Sequence, residues 1–142
     1  IDDPTNNDDK FLRSRVRKLL INLDKEGLKF NKFYLTLKNL SKSDQVIEFY
    51  VDKNILENSK YFEKDKKIIL NKSFFNNPEE IILRSIMQVI KRISWKKNYP
   101  RGKKVISLID SIKFSNKNVK LTLSGCIIEK IQDSVIIYPE KR

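Results

Sequence analysis

Histidine and alanine are both absent from these 142 residues, and cysteine occurs once. Without histidine the commonest general base and metal ligand is missing, so neither Ser-His-Asp nor Cys-His chemistry can be assembled. A single cysteine excludes an internal disulfide and any cysteine-rich zinc site. With three glycines in the whole chain there is no Gly-rich loop to cradle nucleotide phosphates. No apolar run approaches the roughly 20 residues that cross a bilayer, and neither an initiating Met nor a signal peptide is visible, so the chain reads as a soluble, cytoplasmic piece of something longer.

What is abundant is positive charge. Thirty Lys and Arg stand against eighteen Asp and Glu, a net +12, which favours a polyanionic partner over an acidic small molecule. A Lys-, Ile- and Asn-rich background composition gives the same surplus with no nucleic-acid role. The length suits one modest core, thin under a heavily charged surface.

Asp8 or Asp9 is placed to cap a first helix, in which Leu12, Val16, Leu19, Leu20 and Leu23 share one face and which Gly27 ends. Phe30, Phe33, Tyr34, Leu37 and Leu40 repeat at helical spacing, and a denser patch from Val46 to Leu56 follows; the polar Ser41 to Asp44 predicts a break between two helices. Ile68-Ile69-Leu70 is too short for a helix and predicts a strand. Asn77-Pro78-Glu79-Glu80 predicts a helix start with Asn77 as cap and Glu80 closing a capping box, and Ile82, Ile86, Val89, Ile90 and Ile93 then form a buried stripe. After the break at Asn98 to Gly102, Val105, Leu108, Ile109 and Ile112 set up another helix. From Val119 apolar and polar residues alternate, interrupted at Gly125 and at Gln132-Asp133-Ser134. These elements give an α+β class, mainly α: amphipathic helices packed together with a small C-terminal antiparallel β unit. The expected segments are 1–27, a helical domain 28–116 and a β hairpin or meander 117–142.

Arg13 and Arg17, one helical turn apart, present two guanidinium groups that can grip successive phosphates, or a phosphate and a carboxylate, with Lys10 in the same stripe. The same spacing also makes an idle basic face, with Asp9 four residues before Arg13 as a local partner. Arg101, Lys103 and Lys104, close to Trp95 and Tyr99, can hold RNA by phosphate contact and stacking, or can simply be solvated. Lys64, Lys66 and Lys67 read as a solvated loop, and Cys126 as a small buried strand residue.

Asp3, Thr5, Asn6, Phe11, Arg13 and Arg17 reproduce the pattern Asp-x-(Ser/Thr)-Asn, aromatic, Arg-x-x-x-Arg. That pattern resembles the segment closing the catalytic domain of the tRNA(Ile)-lysidine synthetases. Tyr99-Pro100-Arg101, Leu121 to Cys126 and Glu140-Lys141-Arg142 are similar to the tail of a shorter branch of the same family, whose usual Arg-Glu ending stands here as Pro139-Glu140. The resemblance implies that 1–27 is the end of the ATP-pyrophosphatase domain and its linking helix. It implies that Arg13 and Arg17 face tRNA phosphate or the reacting nucleotide, while Asp3, Thr5, Asn6 and Phe11 fix the turn. It further implies ATP with Mg and L-lysine as substrates handled by a preceding domain, since this stretch has no Ser-Gly-Gly-x-Asp-Ser loop. The remaining partner it implies is tRNA(Ile) with anticodon CAU. By itself the chain is then inactive and positions tRNA. A free-standing basic RNA-binding module and a structural or interaction domain remain open as other readings.

Overall fold

The computed structural model describes residues 11–94, 100–115 and 117–140. They form four α-helices and one five-stranded sheet: α1 (Leu12–Lys25), α2 (Phe30–Asn58), β1 (Ser59–Phe62), β2 (Lys67–Leu70), α3 (Glu79–Ile93), α4 (Gly102–Phe114), β3 (Val119–Leu123), β4 (Cys126–Ile131) and β5 (Ser134–Pro139), with a short 3-10 helix at Lys72–Asn76. The α+β class, mainly helical, is the one the sequence predicts. The chain divides into two compact units at 44/45, and α2 runs through the division.

In the first unit, α1 ends as its glycine requires. Gly27 has φ +91, a region costly for residues with a Cβ, and its N–H bonds Asp24 O while the Leu28 N–H reaches back to Leu23 O. Leu20, Leu23, Leu28, Phe30 and Phe33 gather around this turn and enclose an apolar cavity of about 70 Å³. The α1 stripe is nevertheless open: Leu12, Val16, Leu19, Leu20 and Leu23 are all more than 40% exposed, and Ser14 is the buried residue of the helix.

The break predicted at Ser41 to Asp44 does not occur, and α2 is continuous over 29 residues. No Gly or Pro lies between Phe30 and Asn58, and the hydroxyls of Thr36 and Ser43 bond the carbonyls of Lys32 and Asn39 one turn back, so these side chains do not compete with the helix.

The second unit holds the core. Ile82, Ile86, Val89, Ile90 and Ile93 of α3 and Val105, Leu108, Ile109 and Ile112 of α4 pack on Ile68, Leu70, Cys126, Ile128, Val135 and Ile137 of the sheet. The strand order is β1-β2-β5-β4-β3, every pair antiparallel. The predicted strand at Ile68 to Leu70 is β2, and it pairs with β5, so residues from 28–116 and from 117–142 share one sheet. Ser124 (φ 52) and Gly125 (φ 80) join β3 to β4 through the two-residue, positive-φ turn that matches strand twist.

The start of α3 is built differently from the expectation. Pro78 occupies the cap position without a side-chain bond, and Glu80 accepts from Arg84 Nε at 2.7 Å instead of closing a capping box. Asn77 is drawn inward, its amide donating to Asn54 Oδ1 at 2.9 Å. Asn54 is 2% exposed, and all four of its hydrogen-bonding positions are used: Nδ2 donates to Phe74 O and Ser85 Oγ, and Oδ1 accepts from Asn58 and Asn77. The Asn77 Nδ2 is also within bonding distance of the Ser73 and Phe74 carbonyls, so the side chain is engaged on the side of the 3-10 helix and Asn54.

Candidate nucleic-acid interface

Phe11 precedes α1 in extended conformation and its carbonyl accepts from the N–H groups of Ser14 and Arg15, so Arg13 falls in the first helical turn and Arg17 one turn later. Both side chains are exposed, and neither has an ion pair among the described residues. Asp3, Thr5, Asn6 and Lys10 of the motif, and Asp8 and Asp9 proposed as caps, lie outside the described residues. So do Trp95, Tyr99, Lys141 and Arg142.

In the second unit, Arg101 takes the cap position of α4 with extended backbone and no side-chain bond to the helix; its carbonyl accepts from Lys104 and Val105. Pro100 before it is buried, which fixes the approach, whereas Arg101, Lys103 and Lys104 are exposed. The first turn of α4 carries no acidic residue, and three exposed cationic side chains stand beside its positive end. That is a surface suited to phosphate.

Several cations that sequence reasoning passed over are placed by the sheet. Arg92 stacks on the Tyr61 ring at 4.5 Å, over a groove of about 810 Å³ between α2, β1 and α3. The groove mixes Asp52 and Glu57 with Lys53 and Arg92, so neither sign of charge prevails there. Lys67, read from the sequence as a loop residue, begins β2, pairs with Asp65 at 2.7 Å and lies over the Phe62 ring. Lys130 points inward, donating at 2.7 Å to the carbonyls of Ile112 and Ser115 and so closing the C-terminal end of α4. Lys72, Lys113 and Asp133 join it around a cleft of about 420 Å³, where Lys72 pairs with Asp133.

Two titrating groups are displaced from their ordinary values by position. Cys126 is fully buried, and loss of solvent pushes its thiol up to about 11; it donates a weak bond to Ile90 O. Glu129 accepts from Lys120 at 3.1 Å, which holds the carboxyl below its usual range and Lys120 above its own. Among the described residues no three His, Cys, Asp or Glu side chains come together as a metal site, and no helix is long and apolar enough to cross a membrane.

The fold and its surface define a basic α+β region whose cationic groups stand outside the core. Its sequence is 28% identical over 140 residues, 99% of the chain, to the tRNA(Ile)-lysidine synthase of Wolbachia pipientis wMel. The similarity meets the resemblance carried by residues 3 to 17 and by the C-terminal strands. The chain spans about a third of the length of this curated relative (32%). No family model matches the chain.

Proposed function

We propose that this chain is the C-terminal part of an ATP-dependent tRNA(Ile)-lysidine synthetase and that it positions tRNA for a catalytic region carried by the remainder of such an enzyme. In the reaction implied by the family, ATP adenylates the C2 carbonyl oxygen of the wobble cytidine and the lysine ε-amine then displaces AMP. The product reads AUA as isoleucine. ATP with Mg and L-lysine fall to that other region, and the work of this one is to bind the CAU-anticodon tRNA and hold its phosphates.

The observation carrying this reading is similarity along almost the entire chain to a lysidine synthase, joined to a motif whose two arginines lie exposed on one helix. Arg101, with Lys103 and Lys104 at the start of α4, supplies a second place for RNA phosphate, and the +12 charge draws a polyanion to both.

The test is made in the full-length enzyme. Arg13→Ala and Arg17→Ala remove exposed side chains, so thermal unfolding stays within about 0.5 kcal/mol of the parent. Single-turnover lysidine formation falls by about 30- to 1,000-fold, as loss of roughly 2 to 4 kcal/mol of charge stabilisation requires. Arg17→Lys is also impaired if the contact is a two-pronged fork. Undiminished lysidine yield from both alanine variants overturns the assignment and leaves α1 a solvated basic helix.

A further inference from the structure

The face of the sheet turned away from α3 and α4 contributes nothing to the buried core, yet it is not an ordinary polar surface. Side chains directly opposite in an antiparallel pair share a face. Phe62 pairs with Lys67, and continuing the β2–β5 register by one residue sets Lys67 beside Tyr138, which pairs with Ile127 and through it with Thr122. This row therefore crosses all five strands, with two aromatic rings two strands apart, about 10 Å at ordinary strand spacing, and a lysine between them. The neighbouring row on the same face is Lys60, Ile69, Ile136, Glu129 and Lys120. Lys60 and Lys67 both hold their ammonium groups over the Phe62 ring, at 5.4 and 5.3 Å. Tyr138 donates to Glu129, which also pairs with Lys120. In the two rows three lysines stand against one carboxylate.

We propose that this outer sheet face is a platform for single-stranded RNA, with unpaired bases stacking on Phe62 and Tyr138 and the sugar-phosphate chain passing over Lys60 and Lys67. The proposal deepens the tRNA-binding reading and rests on it, since it names a surface for the same polyanion. A base stacked on an aromatic ring is held more tightly than an exposed cation over the same ring. A base therefore displaces the lysines from Phe62, and the freed ammonium groups meet its phosphates. An apolar protein partner has the opposite effect, because it must strip water from Lys60 and from the Lys67–Asp65 pair and offers no counter-charge in return. A second copy of the chain brings lysine against lysine across the interface. A duplex offers no free base face to stack, so the platform selects unpaired strands.

Fluorescence anisotropy of the 142-residue chain with fluorescein-labelled oligouridine, and with an RNA duplex of equal length, tests this. The single strand binds more tightly than the duplex. Phe62→Leu weakens it by about tenfold, Phe62→Tyr restores it, and Lys67→Gln lowers the slope of log K against log salt by about 0.7. Should Phe62→Leu lose its thermal unfolding transition, Phe62→Tyr and Lys67→Gln decide the matter. Wild-type affinity and salt slope in Lys67→Gln, or wild-type affinity in a folded Phe62→Leu, overturn the proposal. So does a dimer in sedimentation that Phe62→Leu dissolves without changing RNA affinity. Weakened tRNA binding in Arg101→Ala beside an unaffected Phe62→Leu removes the platform and keeps the tRNA reading. Loss of oligouridine binding in Phe62→Leu, beside undiminished lysidine formation in the Arg13 and Arg17 variants, keeps the platform and removes the lysidine reading.

Discussion

Cys126 shows how one position sets its own chemistry. Its sulfur lies wholly inside the core, against the Ile90 carbonyl, and burial holds the thiol protonated up to about 11. A thiol kept in that form is a poor nucleophile, so native protein resists iodoacetamide while urea-unfolded protein reacts at once. The linkage has a definite sign. Between the ordinary thiol value of 9.0 and about 11 the unfolded chain loses this proton while the folded one keeps it, so stability falls as pH rises through that window. Cys126→Ala removes this part of the alkaline loss, and thermal melts at about pH 8.5 and about pH 10.5 show it as a smaller drop than in the parent. An equal drop in both proteins shows that the thiol titrates alike folded and unfolded. The inert, buried character of Cys126 is legible in the sequence from its place in an apolar strand without a neighbouring histidine. The identity of Asn54 as the buried polar centre is not, because nothing in its local surroundings separates it from the other asparagines of a chain rich in them.

At the scale of elements, α3 is the most legible piece: its isoleucines recur at the period of one buried face, and all of them are buried. Its start departs from the local signal for a physical reason. Asn and Pro before Glu-Glu satisfy every local rule for a cap, but the Asn54 oxygen twenty-three residues away draws the Asn77 amide toward itself. The two roles respond differently to substitution. An aspartate is as good a cap as asparagine, but it cannot donate a hydrogen bond and sets a carboxylate against Asn54 Oδ1. Asn77→Asp therefore costs about 1–3 kcal/mol in urea unfolding, whereas a capping role leaves stability unchanged. The continuity of α2 has a related cause: Ser43, of a type that favours turns in isolation, is tolerated because its hydroxyl bonds back within the helix.

For the whole molecule, the excess of thirty basic over eighteen acidic residues predicts that affinity for tRNA falls by about tenfold or more between about 50 and about 200 mM salt, as release of counterions from even a few phosphates requires. Filter binding across that range reads it directly, and a flat response favours a structural role for the charge. The arginine pair of α1 was legible because it is local, one turn on one helix. The row joining Phe62 to Tyr138 was not, because it depends on pairing between segments that lie about half the chain apart. That pairing faces an ambiguity the apolar pattern leaves unresolved. Ile127 and Ile128 are neighbours, as are Ile136 and Ile137, so each strand offers isoleucine to both sides of the sheet and a slip by one residue would still bury hydrocarbon. Lys130 breaks the tie. In the observed alignment its ammonium sits between the last carbonyls of α4; turned to the other side it would leave Ile112 O and Ser115 O unanswered. A single lysine thus acts as a proofreader of strand alignment, through two hydrogen bonds that it makes in the observed register and loses in the slipped sheet that the isoleucines would accept.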